Sequence, residues 1–201
     1  MNKQNIKDNR NSYSFWENKT YEETFVKANK ELILDLMGAD DYFDISSSFL
    51  DKDAGIDGIA KIGKDNIGIA LRIRKPEYYK WRFNFTLGHH YDKENSQVHA
   101  VLNALRPEVI SPNYILQING VDEDGYCKEC YAIKVQTDVF ANYIKEKRDY
   151  HTLDNYYQSR LASYLFTMQD VYHQLTTAVE FYLLQDNTIT KYLNNDTDKS
   201  S

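Results

Sequence analysis

Residues 49–75 read FLDKDAGIDGIAKIGKDNIGIALRIRK, and this stretch decides how the rest of the chain is interpreted. The segments GIDGIAKIG and NIGIALRIRK, joined through the polar turn KDN, predict the two strands of a hairpin. Side chains of a strand alternate between its two faces, so Ala70, Arg72 and Arg74 share one face. Asp57 lies on the preceding strand. The hairpin is therefore predicted to place a carboxylate beside arginine side chains.

The sequence around this hairpin predicts an α/β (α+β) protein. Apolar residues recur at helical spacing from residue 20 to residue 37, and Gly38 follows as a helix terminator. Strands are predicted at 42–50, 55–63, 66–75, around 81–85, 113–120 and 130–136, and a further helix at 94–105. Three successive strands joined by short turns favour a mixed central sheet flanked by helices over a doubly wound sheet.

Composition along the chain predicts four regions. Residues 1–19 and 194–201 are polar and lack hydrophobic periodicity, so we expect them to be disordered tails. Residues 20–136 are predicted to form the core, and residues 137–193 a helical C-terminal extension. Many of the 17 tyrosines lie in that extension. Tyrosine side chains there either pack helices against one another or dock a second subunit, which would give a homodimer through these helices.

Charge and hydropathy exclude several classes of protein. The formal net charge is −6, so any contact with nucleic acid must come from a local basic patch. No apolar run approaches the roughly 20 residues that a membrane-spanning helix needs, and the N-terminal residues lack the apolar core of a signal peptide. A cytoplasmic protein without a membrane partner is predicted. Cys127 and Cys130 form a lone C-x-x-C motif, which supplies neither a disulfide framework nor four zinc ligands.

The order of predicted elements, together with the GIDG segment, resembles the PD-(D/E)xK nuclease superfamily, and in particular its divergent phage and mobile-element members. In that family a helix, a three-stranded meander, a second helix and a fourth strand form the restriction-endonuclease-like core. The same order is predicted here from about residue 20 to residue 119. The resemblance implies a metal-dependent nuclease, or a nuclease-derived nucleic-acid-binding protein, with DNA rather than RNA as its partner.

The resemblance also implies a site built around Asp57. The family has one acidic residue on the second strand, an acid-x-lysine triplet on the third strand, and often a glutamate on the first helix. Asp57 would ligate Mg²⁺ or Mn²⁺, with Glu22 or Asp53 completing the ligand set, since these ions prefer oxygen ligands. Arg72 or Arg74 would take the place of the family's lysine.

At the second acidic position this sequence departs from the family. If Arg72 stands at the lysine position, Ala70 stands where the acid should be; if Arg74 stands there, Arg72 replaces the acid. The scaffold therefore also fits a catalytically inactive binding protein. In that version Arg72, Arg74, Lys75 and Lys80 bind phosphate groups, because arginine contacts phosphate in a bidentate manner. A basic edge strand that resists aggregation is the structural alternative.

Overall fold

A seven-stranded mixed sheet with helices on both faces forms the centre of the fold in the computed structural model. The structure describes residues 20–46, 48–76, 84–90, 97–146, 151–154, 161–167, 175, 178–186 and 188–192. Mixed α/β content with a mixed central sheet, as predicted, is confirmed. Among the described residues, no helix has both the length and the apolar character required to cross a membrane.

The described elements follow one another in this order. The helices are α1 (residues 20–28), α2 (Lys30–Met37), α3 (Phe49–Ala54), α4 (Gln97–Leu102, continued by a 3-10 turn at Asn103–Leu105) and α5 (Thr137–Glu146). The strands are β1 (Asp41–Asp44), β2 (Gly58–Ile62), β3 (Asp65–Arg74), β4 (Asn84–His90), β5 (Tyr114–Asn119), β6 (Glu129–Gln136), β7 (His151–Asp154), β8 (Leu161–Thr167), β9 (Val179–Gln185) and β10 (Thr188–Tyr192).

The seven-stranded sheet has the order β1-β2-β3-β5-β6-β9-β10. Strands β1, β2 and β3 form an antiparallel meander, whereas β5 runs parallel to β3. A parallel neighbour requires a crossover connection, and α4 lies in the chain between these two strands. A separate three-stranded sheet has the order β4-β8-β7.

Each face of the seven-stranded sheet is covered by its own helices. On one face Phe25 of α1 and Ile33 and Leu36 of α2 pack against Leu71 and its apolar neighbours in β3 and β5. On the other face, side chains of α4 and α5 pack against Ala70 and the alternate residues of β5 and β6. From Gly68 to Ile73 strand β3 is therefore buried on both sides, so Arg72 lies close to the core.

The helix predicted over residues 20–37 is interrupted at Asn29. That residue has φ −130° and ψ 32°, and its side-chain amide donates to the carbonyl of Phe25 at 2.9 Å and to that of Gly125 at 2.6 Å. Asparagine competes for backbone hydrogen bonds in this way and disfavours a continuous helix. The predicted terminator is confirmed, because Gly38 adopts the left-handed conformation with φ 64°.

A turn after Asp44 and the beginning of a short helix, α3, stand in place of the second half of the strand predicted at 42–50. The Ser48 hydroxyl accepts a hydrogen bond from the Asp51 N–H at 3.4 Å and so caps the helix. Gly55, with φ 65°, ends it. The prediction of strand beyond Asp44 was wrong because the Asp44 carboxylate accepts from the Ser46 N–H at 3.0 Å in a turn, and the Ser-x-x-Asp capping pattern then outweighs the β-propensity of Phe49 and Leu50.

The prediction of a helical extension over 137–193 is correct for α5 and wrong for the other described residues of that region. Those residues form β7 to β10, and β9 pairs with β6, so residues 179–192 complete the sheet that β1 begins. The sequence of β9, VEFYLLQ, is nearly all apolar and buried on both faces. Periodicity alone does not separate such a strand from a buried helix. The described residues 151–192 therefore provide no helical surface for the predicted homodimer.

Candidate functional site

Asp57 lies at the point where β2 and β3 separate. Its N–H donates to the Ile69 carbonyl at 2.9 Å, and its side-chain Oδ2 accepts from the Leu71 N–H at 2.6 Å. The regular β2–β3 pairing ends at Gly58, whereas β3 continues to Arg74. The Asp57 carboxylate thus takes the place of the next ladder partner and sits in the gap beside β3. The residue directly precedes β2, whereas the sequence predicts it within that strand.

Glu22 reaches the same region from α1. The Tyr21 hydroxyl donates to the Val121 carbonyl at 2.7 Å, and the Val121 N–H donates to the Arg74 carbonyl at 3.0 Å. These two bonds fix the beginning of α1 beside the end of β3. Glu22 is half-buried there, as its predicted helical face requires.

The two carboxyl groups act on each other and hold protons unusually tightly. Burial raises the pKa of Glu22 to about 7, against the lowering effects of Arg74 and Arg72. Burial likewise raises the pKa of Asp57 to about 7; the Leu71 hydrogen bond and Arg72 lower it, while the charges of Glu22 and Asp51 raise it. Two acids with such perturbed values are typical of a site that binds a cation or transfers protons.

Arg72 is the cation closest to the core, with only 8% of its surface exposed. Burial and the neighbouring Arg74 lower its pKa to about 10, and the charges of Asp57 and Glu22 raise it, so the guanidinium remains protonated at neutral pH. Its Nε is buried and has no hydrogen-bond partner among the described residues. An unpartnered buried donor costs free energy, and an anionic ligand would satisfy it.

Two buried amides, which sequence reasoning missed, lie beside the arginines. In the parallel register Gln117 is opposite Arg72 and Asn119 is opposite Arg74, and both amides are only 1% exposed. The Gln117 Nε2 donates to the Asn119 Oδ1 at 3.0 Å. Their signal in the sequence was polar residues at alternate positions of an otherwise apolar strand, YILQIN.

The remaining predicted site residues are Asp53, Lys75 and Lys80. Asp53 lies in α3, but its side chain is outside the described part of the structure, as is the whole of Lys80. Lys75 is exposed, with its Nζ 5.9 Å from the centre of the Tyr21 ring. Asp51 of α3, which the sequence offers beside Asp53 as a further carboxylate, acts electrostatically on both Glu22 and Asp57.

Ala70 occupies the face of β3 that also carries Arg72, and it is 6% exposed. It packs in the apolar cluster under α4 and α5. No carboxylate beside the arginines therefore comes from β3 itself, and the two acids of the site come from α1 and from the residue before β2. We call Glu22, Asp57, Arg72 and Arg74 the fork site, after the separation of β2 from β3.

Comparison with known proteins does not identify a family for this chain. No family model, curated protein or solved structure matches this chain. Within the described ranges, no three His, Cys, Asp or Glu side chains are grouped as a metal-binding cluster. The chemistry of the fork site therefore follows from its own residues.

Proposed function

We propose that this chain is a PD-(D/E)xK-like nuclease that hydrolyses phosphodiester bonds of DNA at the fork site. The single observation that carries the proposal is the electrostatic interaction among an acid from the first helix, an acid beside the second strand and a cation from the third. Glu22, Asp57 and Arg72 are far apart in sequence, yet each changes the pKa of at least one of the others. Burial of charged groups is costly, and it is typical of sites with a chemical role.

The order and direction of the strands support the same proposal. Along the chain, the interrupted helix α1–α2, the antiparallel meander of β1, β2 and β3, the helix α4 and the strand β5, parallel to β3, occur in the order of the superfamily that the sequence resembles. In the proposal α3, the three-stranded sheet and the strands β6, β9 and β10 are additions to that core.

The residues of the fork site fit a divalent cation of the Mg²⁺ type. Glu22 and Asp57 supply two carboxylates whose protons are held mainly because burial disfavours their charged forms, and a cation would replace those protons. Mg²⁺ is commonly bound through one or two carboxylates, with water and substrate phosphate completing its shell. When bound, the ion would neutralise charge on the phosphate and lower the pKa of a water molecule.

Arg72 and Arg74 then have a separate role in the proposal. A phosphodiester is an anion, and the buried Arg72 guanidinium offers it a free Nε–H with little competition from water. Arg74, one step further out on the same face, is only half-buried and would contact a neighbouring phosphate. The two arginines orient the nucleic acid, while the carboxylates serve the chemical step.

A catalytically inactive DNA-binding protein on the same scaffold is the second candidate. It is favoured by one observation: the two residues that can stand at the superfamily's second acidic position, on the third strand, are the buried Ala70 and Arg72, and neither is an acid. In this version Arg72 and Arg74 bind phosphates, and the carboxylates only balance the buried arginine charge. Binding of this kind weakens as salt concentration rises, because counterions are released from the nucleic acid.

Cleavage assays separate the two candidates. Purified protein is incubated with plasmid, single-stranded DNA and RNA in Mg²⁺ or Mn²⁺, and Asp57→Asn is compared with the wild type. We expect DNA cleavage that falls on the order of 100-fold or more in Asp57→Asn, since the amide keeps the shape of the carboxylate but not its charge. Glu23→Gln, which changes an exposed residue next to Glu22, is the matched control and should cleave normally.

Absence of cleavage of every substrate in both metals would contradict the nuclease proposal. A gel shift that survives in Asp57→Asn and weakens in Arg74→Ala would then establish the inactive binding protein. Absence of both cleavage and a gel shift would contradict both candidates.

A further inference from the structure

Tyr42 of β1 directs its hydroxyl toward the residue that follows Asp57. The side chain is only 3% exposed. A Cβ atom on Gly58 would lie 2.1 Å from the Tyr42 hydroxyl oxygen, so the phenol occupies space that any other residue at position 58 would fill. The second glycine of the GIDG segment thus leaves the space that the Tyr42 hydroxyl occupies, one residue along the chain from Asp57 of the fork site.

This hydroxyl is buried and has no hydrogen-bond partner among the residues that the structure describes. Buried hydroxyl groups in native proteins are almost always hydrogen-bonded, because losing water without gaining a partner is unfavourable. A phenylalanine would pack the same ring without that cost. Arg72 Nε, in the fork site, is likewise buried and without a partner among the described residues.

The surroundings of Tyr42 determine what its hydroxyl does. Burial raises its pKa well above the ordinary value, and the charges of Asp44, Asp57 and Glu22 raise it further. The phenol therefore stays protonated at any physiological pH. It acts as a hydrogen-bond donor and does not act as a general base.

We infer that Tyr42 is a substrate-binding residue of the fork site, and that its hydroxyl donates a hydrogen bond to a non-bridging oxygen of the phosphodiester. This inference rests on the proposed nuclease function and adds to it a residue that lies on β1. A phosphate oxygen is an acceptor without a proton of its own, and it would satisfy the unpartnered donor only when substrate is present. No bond is made or broken by Tyr42 itself.

Tyr42→Phe tests the inference, because it removes the hydroxyl and leaves the ring. In the absence of substrate we expect the urea midpoint of unfolding to stay the same or to rise, since a buried donor without a partner has been removed. In the cleavage assay we expect kcat/KM to fall about 10- to 100-fold, the loss typical of one hydrogen bond to a charged group. The affinity for a short DNA duplex in Ca²⁺, measured by fluorescence anisotropy, should fall with it.

The matched control is Tyr114→Phe, at the opposite end of the β3–β5 pair from Arg74. It should leave kcat/KM unchanged. If Tyr42→Phe cleaves as the wild type does, the inference is overturned while the proposed function stands. If Tyr42→Phe loses stability along with activity, its role is structural and the inference is overturned. If the wild type neither cleaves nor binds DNA, the proposed function fails and this inference fails with it.

Discussion

Asp57→Asn and Glu22→Gln are each expected to raise the free energy of unfolding at pH 8, by roughly 2 kcal/mol. Both carboxyl groups have a pKa of about 7 in the folded protein, compared with ordinary values of 3.8 for Asp57 and 4.5 for Glu22. At pH 8 the folded protein must therefore hold two buried charges that water would solvate better. A neutral amide at either position removes that penalty, and in Asp57→Asn the new amide oxygen still accepts from the Leu71 N–H.

The direction of this change in the free energy of unfolding follows from how many protons the folded and unfolded states bind. Between about pH 4 and pH 7 the folded state binds more protons at Glu22 and Asp57 than the unfolded chain does, so stability falls as pH rises through that window. Below the lower limit both states are protonated, and above the upper limit both are ionised. In each amide variant the free energy of unfolding should fall less steeply with pH, and its gain over the wild type should be largest above pH 7. Urea unfolding of the wild type and the variants at pH 4, 6 and 8 measures this pH dependence.

Two features make this experiment decisive. Glu23→Gln alters an exposed carboxylate on the same helix and should leave the profile unchanged. The double variant should gain less than the sum of the single variants, because the buried Arg72 then loses both of its opposite charges. Equal destabilisation at all three pH values would show that the carboxylates stabilise the fold as ordinary ion-pair partners.

Gly58→Ala is expected to destabilise the protein by roughly 3 kcal/mol. The added Cβ would lie 2.1 Å from the Tyr42 hydroxyl oxygen and 2.3 Å from the ring carbon that bears it. Tyr42 is only 3% exposed, so its ring has no free space to enter. The penalty arises from this close approach, and either β1 or β2 must shift to relieve it.

A double-mutant cycle with Tyr42→Leu measures that contact directly. Tyr42→Leu is destabilising by itself, because it removes buried aromatic volume. Once the ring is absent, Gly58→Ala should cost much less than it does in the wild type, giving a coupling of about 2 kcal/mol. As a control, Lys61→Ala at an exposed position of β2 should change stability little. Equal costs of Gly58→Ala in the two backgrounds would contradict the steric account.

The hairpin and the face of β3 that carries its arginines could be predicted because both depend on local patterns. Alternation of apolar and charged residues defines β3, and its parity places Arg72 and Arg74 on one face. The helical spacing of the apolar residues was sufficient to predict that Glu22 lies on the face of the helix toward the sheet. In contrast, the tertiary contacts of Tyr42 with Gly58 and of Asn29 with Gly125 join residues from different elements, and no pattern within one element reveals them.

The errors have physical causes that can be assigned to particular residues. The capping of α3 by Ser48 is present in the sequence as Ser-x-x-Asp, but it lies in an apolar segment that also favours a strand. The prediction of helix at β9 was wrong because VEFYLLQ is buried on both faces and shows no alternation. Gln117 and Asn119 gave only a weak signal, since a polar side chain in a strand is more often exposed than buried.

The central claim is that Glu22 and Asp57 form one site with Arg72 that accepts a divalent cation. Titration of the two side-chain carboxyl carbons by NMR, with and without Mg²⁺, tests it most directly. We predict that the pair titrates near pH 7 without the ion, and that Mg²⁺ lowers both midpoints, since a bound cation favours the charged carboxylates. Titration of both groups near their ordinary values of 3.8 and 4.5, unchanged by Mg²⁺, would contradict the account.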